Sequence, residues 1–175
     1  LTMALQVVCC ALFAYAVVFM RFKGRRLLFS LVLFTYMVPT AATYIPCYVL
    51  LARLGLLDSY RGLILSNGVS VFGIFLLRQH MRGIPKSLVE VAKLEKASHT
   101  NILRTIVVPM VKPAILSIGI IFFINSWNEY VWPSLILKST ENYTLSLALQ
   151  MFVSAEGGTD IPVAMAISVL TMLLP

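Results

Sequence analysis

Few residues of this chain could do covalent chemistry, and their spacing argues against it. Asp and Glu together number 7, His 2 and Cys 3 in 175 residues. The acidic residues are not paired, His80 and His99 stand alone, and Cys9, Cys10 and Cys47 lie in apolar runs with no Cys-x-x-Cys or Cys/His spacing. No general acid–base pair, activated nucleophile or metal-ligand set is therefore spelled out. The cysteines read as small packing residues and the histidines as solvated loop positions. No Gly-x-x-x-x-Gly-Lys-[Ser/Thr] phosphate loop occurs, so the chain is not expected to bind ATP or any other cofactor by that route. Two polar patterns remain. One is Ser87-x-x-Glu90 in a charged stretch, and the other is Asn125, Asn128 and Glu129 inside an apolar run.

The first pattern lies on elements that can be read from spacing. Ser87 with Glu90 matches a capping box, which predicts a helix starting at Ser87. Leu88, Val91, Ala92 and Leu94 or Glu95 follow at helical period on one side, with Lys86, Glu90, Lys93 and Lys96 around the other. Ser98 or Thr100 can cap a second helix through Ile102, Leu103 and Ile106, which should end by Val108 because Pro109 disfavours helical backbone in the residue before it. Pro113 suits the first turn of a following helix. Residues 84–113 thus read as helix, turn, helix outside the bilayer. Pattern alone leaves two roles open: a segment lying on the membrane against the chain's own helix ends, or a docking site for a soluble partner.

Composition places these patterns in a membrane protein. The chain is 59% hydrophobic and 12% charged, with mean hydropathy +0.90, far from soluble norms. Apolar runs at 1–20, 27–51, 62–77, 114–137 and 161–175 predict an all-α, polytopic transmembrane helical bundle of about five spans, kinked where Pro39 and Pro46 interrupt the second. The first run has no charged leader or cleavage pattern and is not read as a signal peptide. Small residues in the third, Ser66, Asn67, Gly68, Ser70 and Gly73, suit close helix packing. Lys and Arg concentrate in 21–26 and 78–113, leaving only Arg53, Arg61 and Lys138 on the alternate loops. That asymmetry puts the charged stretch in the cytoplasm. It also accounts for the net charge of +7 without a nucleic-acid partner. About 1.5 Å per residue from Ala114 places Asn125 roughly 16 Å into the membrane and Glu129 roughly 22 Å. Polar groups at that depth face a cavity or another helix. "SWNEY" followed by Trp132 and Pro133 could equally form an interfacial anchor.

The charged stretch resembles the EAA loop of permease subunits of binding-protein-dependent ABC importers, whose pattern is Glu-Ala-Ala, three residues, Gly, then an Ile-x-Leu-Pro ending. Glu90, Val91 and Ala92 hold the first positions, Lys96 the glycine, and "IVVP" (106–109) the end. "YIPCYVLLARLGLLDSYRGLIL" (44–65), "FGIFLLRQHMRGIPKSL" (72–88) and "SWNEYVWPSLIL" (126–137) are similar to stretches of the maltose and glycerol-3-phosphate types. The resemblance implies one permease domain over 1–175, a piece of a six-span subunit lacking the first helix and the C-terminal tail. It implies a multi-pass place in the bacterial cytoplasmic (inner) membrane and transport of a sugar or a solute such as glycerol 3-phosphate. It implies as partners a second, homologous permease, two ATPase subunits that bind the ATP and magnesium, and an extracytoplasmic solute-binding protein. Coupling to the ATPase would fall to Glu90, Val91, Ala92, Lys93, Glu95, Lys96, Ala97 and Ser98, with Val91, Ala92 and Ala97 in the packed contact. Asn125, Asn128 and Glu129 would line the substrate path or an inter-subunit contact. An ion-coupled carrier, for which Glu129 is the one candidate group, is the alternative. Two departures stand out: Val91 is bulkier than alanine, and Lys96 would spend about 1 kcal/mol adopting the left-handed backbone a glycine takes freely.

Overall fold

A computed structural model describes residues 1–153 and 161–172, and every regular element among them is helical. The first run is α1, Thr2–Phe19, apolar on all sides and ending just before the basic 21–26 segment. Among the described residues it is the one unbroken helix long and apolar enough to cross a membrane.

The other runs are broken rather than merely kinked. Run 27–51 divides into α2, Arg25–Thr35, and α3, Thr40–Arg53. Pro39 lies in the break, whereas Pro46 sits inside α3 without ending it. Run 62–77 divides into α4, Tyr60–Ser66, and α5, Val71–Arg82. There the Ser70 hydroxyl accepts from the Gly73 amide at 3.3 Å, so an N-cap restarts the helix. Run 114–137 becomes α9, Lys112–Asn128, and α10, Val131–Ile136, separated at Glu129 and Tyr130. Between α5 and α9 come α6, Lys86–Leu94, α7, His99–Ile102, a π turn Leu103–Val107, and α8, Val108–Met110. Beyond α10 lie a short 3₁₀ turn, Thr140–Asn142, then α11, Leu145–Val153, and α12, Ile161–Met172. The last three residues of the fifth expected span fall outside the described residues. If each bent pair counts as one span, up to four cross by length and composition.

Two compact units emerge. The first comprises residues 1–39 and 67–122. Its core runs between α1, α5 and the first half of α9, with Cys10, Ala14, Leu77, Met81 and Ile118 at or near zero exposure. In a bilayer the lipid is as apolar as the side chains, so close approach holds helices together more than burial does. Gly73 supplies that approach: a Cβ there would lie 2.5 Å from Cζ of Phe122 and 3.1 Å from Sγ of Cys10. The three cysteines are free thiols, Cys10 fully buried with its Sγ donating to the Ser70 carbonyl.

The second unit comprises residues 40–66 and the described residues from 123 onward. Leu51, Trp132, Ile136, Leu137 and Leu147 form its core. Trp132 is stacked on Tyr44 with ring centroids 5.2 Å apart, and its Nε1 donates to Ser66 Oγ at 2.8 Å. The interfacial-anchor reading of Trp132 is thereby corrected: the indole finds its polar partner inside the unit and is 3% exposed.

Candidate functional site

The charged stretch begins differently from its expected form. α6 starts at Lys86 after Pro85 at the N-cap, and no side chain caps it. Ser87 is already inside the first turn, so the Ser87–Glu90 capping box is not made. The apolar side read from spacing is kept at Leu88, Val91 and Leu94 but loses Ala92, which with Val89 faces inward. Val89 and Ala92 are the buried residues of α6, while Leu88, Val91 and Leu94 are 44%, 55% and 82% exposed. Ala92 packs into its own unit, whereas Glu90 and Glu95 are exposed. Lys93 reaches back to α1, where Nζ donates to the Phe19 carbonyl at 3.2 Å, a cation on the free carbonyls of a helix C-terminus.

The turn after α6 agrees with expectation. Lys96 has φ 60°. Its amide donates to the Lys93 carbonyl at 3.0 Å and the Ala97 amide to the Ala92 carbonyl at 3.0 Å, which is a Schellman ending. Ser98 then caps α7, its hydroxyl accepting from the Asn101 amide at 3.2 Å. His99 is not a free loop residue: its Nδ1 lies 2.9 Å from the Tyr15 hydroxyl of α1, ring edge to ring face. His80 lies in the last turn of α5.

Pro109 does not stop the helix where expected. The backbone stays helical to Met110 because residues 103–107 form a π turn, in which the Val108 amide bonds to the Leu103 carbonyl. The widened turn shifts the hydrogen-bond register just ahead of the residue that has no amide hydrogen to give. The chain then bends by 81° between residues 99–110 and α9. Pro113 occupies the first turn of α9, as expected.

Asn125 and Asn128 stand three apart on α9 and both are exposed. The Asn128 amide Nδ2 donates to its own helix at the Ile124 carbonyl, 3.0 Å away. Glu129 is half-buried and follows the last helical residue, so the helix from Ala114 is continuous through Asn125 and Asn128 and stops before Glu129.

Sequence reasoning missed Asp58. It sits between α3 and α4 with φ 52°, and it gathers a segment eighty residues away. Oδ1 accepts the amides of Lys138 at 2.9 Å and Ser139 at 3.0 Å, Oδ2 accepts the Ser139 hydroxyl, and the Asp58 carbonyl accepts Asn142 Nδ2 at 2.9 Å. These bonds, those from Ser139 foremost, hold the carboxyl well below the usual carboxylate range. Its one local signal, an Asp-Ser pair between two helices, marks a turn but not a distant partner.

Residues 7–175 match the family described as binding-protein-dependent transport system inner membrane component. The chain is 36% identical over 163 residues to the sn-glycerol-3-phosphate transport system permease protein UgpE of Pectobacterium atrosepticum, covering 93% of this chain and 58% of that one. It is 35% identical over 147 residues to the arabinooligosaccharides transport system permease protein AraQ of Bacillus subtilis, covering 84% and 52%. Its fold is similar to a chain of the crystal structure of a bacterial ABC transporter involved in import of the acidic polysaccharide alginate, with TM-score 0.79, 28% identity, and coverage of 95% and 60%. The chain thus spans little more than half the length of these relatives. With only helical elements and one unbroken apolar span among the described residues, and a charged helix–turn–helix at its basic end, it belongs to the family of inner membrane components of binding-protein-dependent transport systems.

Proposed function

We propose that this chain is a non-catalytic, pore-forming permease subunit of an ATP-driven importer, carrying about five spans of a six-span subunit. Its cargo would be a sugar or a related small polar solute such as glycerol 3-phosphate, in keeping with what its relatives are named for. Hydrolysis belongs to two separate ATPase subunits, which bind the ATP and magnesium. A second homologous permease and an extracytoplasmic solute-binding protein complete the assembly. Closure of the ATPases would shift the permease pair between inward- and outward-facing states.

The observation that carries this reading is the outer face of α6. Leu88, Val91 and Leu94 project on one side of a nine-residue helix, exposed and flanked by Glu90 and Glu95. An amphipathic helix with such a face fits a protein groove. Leu88, Val91 and Leu94 would make the packed contact and Glu90 and Glu95 the ion pairs. Ala92, Lys93, Lys96, Ala97 and Ser98 would hold the helix in position. Asn125, Asn128 and Glu129 would line the path or meet the second permease.

Leu94→Arg tests this at a position whose side chain supports nothing inside the chain. It should leave the subunit folded in the membrane, lower co-purification of the ATPase by at least about tenfold, as loss of an interface anchor does, and abolish uptake. Ala92→Arg would instead damage the subunit's own packing and cannot distinguish the two. Normal uptake and a bound ATPase in Leu94→Arg would sink the reading.

A further inference from the structure

The basic end of the first unit holds an open cavity of about 920 Å³ that shares Glu90, Lys93 and Leu94 with α6 but whose arginines none of the roles above employs. Its walls are the last turn of α1, the connection into α2, the end of α5, and α6. Arg21, Arg25 and Arg26 enter from the first connection and Arg78 and Arg82 from α5. Lys86 and Lys93 enter from α6, and among the described residues the lining carries one carboxylate, Glu90. So many like charges around one volume repel each other, and an anion placed among them removes that repulsion.

Several of these cations are held in place. Arg25 Nη1 donates to the Met20 carbonyl at 3.3 Å and Lys93 Nζ to Phe19. The Arg78 guanidinium lies 3.9 Å from the centre of the Phe29 ring, and its Nε is buried with no hydrogen-bond partner. A buried donor left without an acceptor is costly, and an oxyanion is the acceptor that a guanidinium fork fits best. Depth and surroundings then narrow the choice of anion. Val17, Val18 and Phe19, the end of the membrane-crossing helix, line the same cavity, which sets it at headgroup level. α2 carries Arg25 and Arg26 in its first turn and exposes Leu27, Leu28 and Leu31 just beyond.

We propose that this cavity binds the phosphate of an acidic phospholipid headgroup, with the acyl chains along the exposed leucines of α2. Basic pockets between membrane helices on the cytoplasmic side suit such headgroups. A zwitterionic lipid carries its own cation beside the phosphate and would be disfavoured by the same charges.

The full-length chain, purified in detergent, would be equilibrated with vesicles of mixed phosphatidylglycerol and phosphatidylcholine, then washed, and the retained lipid counted by mass spectrometry. Phosphatidylglycerol should be retained over phosphatidylcholine by about tenfold or more, the enrichment that a few charge-assisted hydrogen bonds provide. Arg26→Gln with Arg82→Gln, both exposed and free of core packing, should erase the preference. Arg53→Gln with Arg61→Gln, outside the cavity, should leave it intact. Arg78→Lys, which keeps the charge and loses the fork, should weaken it. Retention that survives excess inorganic pyrophosphate assigns the phosphate to lipid. Displacement by pyrophosphate, with a higher melting midpoint in lipid-free detergent, supports the phosphate site but assigns it to a soluble ligand. Equal retention of the two lipids, or an unchanged preference in the Arg26/Arg82 variant, overturns the proposal. The same holds if that variant loses its ATPase while keeping its lipid, which would give the cations to a protein partner.

Discussion

Lys96 and Asp58 are the non-glycine residues with left-handed backbone among the described residues, and the two units hold them there by different means. Lys96 sits in a turn fixed by main-chain bonds, with an exposed side chain. Its conformation costs about 1 kcal/mol or somewhat more, and the Schellman bonds offset it. Asp58 belongs to a residue type that tolerates this backbone, and its carboxylate and carbonyl bind Lys138, Ser139 and Asn142. A turn set by main-chain bonds admits many residues and prefers glycine. A turn set by a side chain admits essentially one.

The largest effect is therefore expected at Asp58. Asp58→Ala keeps the strained backbone and loses every carboxylate bond, so residues 138–142 should become the first site of proteolytic nicking. Unchanged nicking and an unchanged melting midpoint would break the comparison. Asp58→Asn retains an acceptor and the backbone tolerance and should fall between the two.

The charge of Asp58 also sets a pH dependence. Its folded pKa is depressed, so its contribution is fully present above the unfolded carboxylate value of about 3.9 and is lost as pH falls toward the folded one. The midpoint difference between wild type and Asp58→Asn should be constant near neutrality and shrink below about pH 4. A difference that stays flat to pH 3 would remove the carboxylate from the explanation.

Smaller effects belong to the Lys96 turn. Ser98→Ala should cost about 1 kcal/mol through loss of the α7 cap. Lys96→Gly should be close to neutral or stabilising by about 0.5 kcal/mol, because the relief of strain slightly exceeds the extra freedom of glycine in the unfolded chain. A loss comparable to Asp58→Ala would mean that the Lys96 side chain has a partner of its own.

What could be read in the sequence was local. α1 followed from an unbroken apolar run, the α7 cap from Ser98 or Thr100, and the start of α9 from Pro113, while the left-handed turn at Lys96 followed from the glycine that the resembling family has there. Ala92 was put on the wrong side of α6 because Leu88, Val89, Val91, Ala92 and Leu94 permit two apolar stripes. Only the packing against α1 and α5 decides between them. The break at 67–70 was missed because Asn67, Gly68 and Ser70 read as small residues for helix packing, whereas the Ser70 hydroxyl caps a new helix there. The Asp58 clasp and the Trp132–Ser66 bond join positions more than sixty residues apart, beyond any periodicity.

The attachment of 86–102 to α1 has a mechanical consequence. Lys93 on α6 grips the Phe19 carbonyl, and His99 on α7 grips the Tyr15 hydroxyl one turn earlier. A segment pinned at one point can swivel in place. Pinned at two, with Val89 and Ala92 wedged into the core beneath it, it has no free axis to turn about. A push on the outer face of α6 is then delivered to the last turns of α1 as displacement, so the segment works as a handle on that helix.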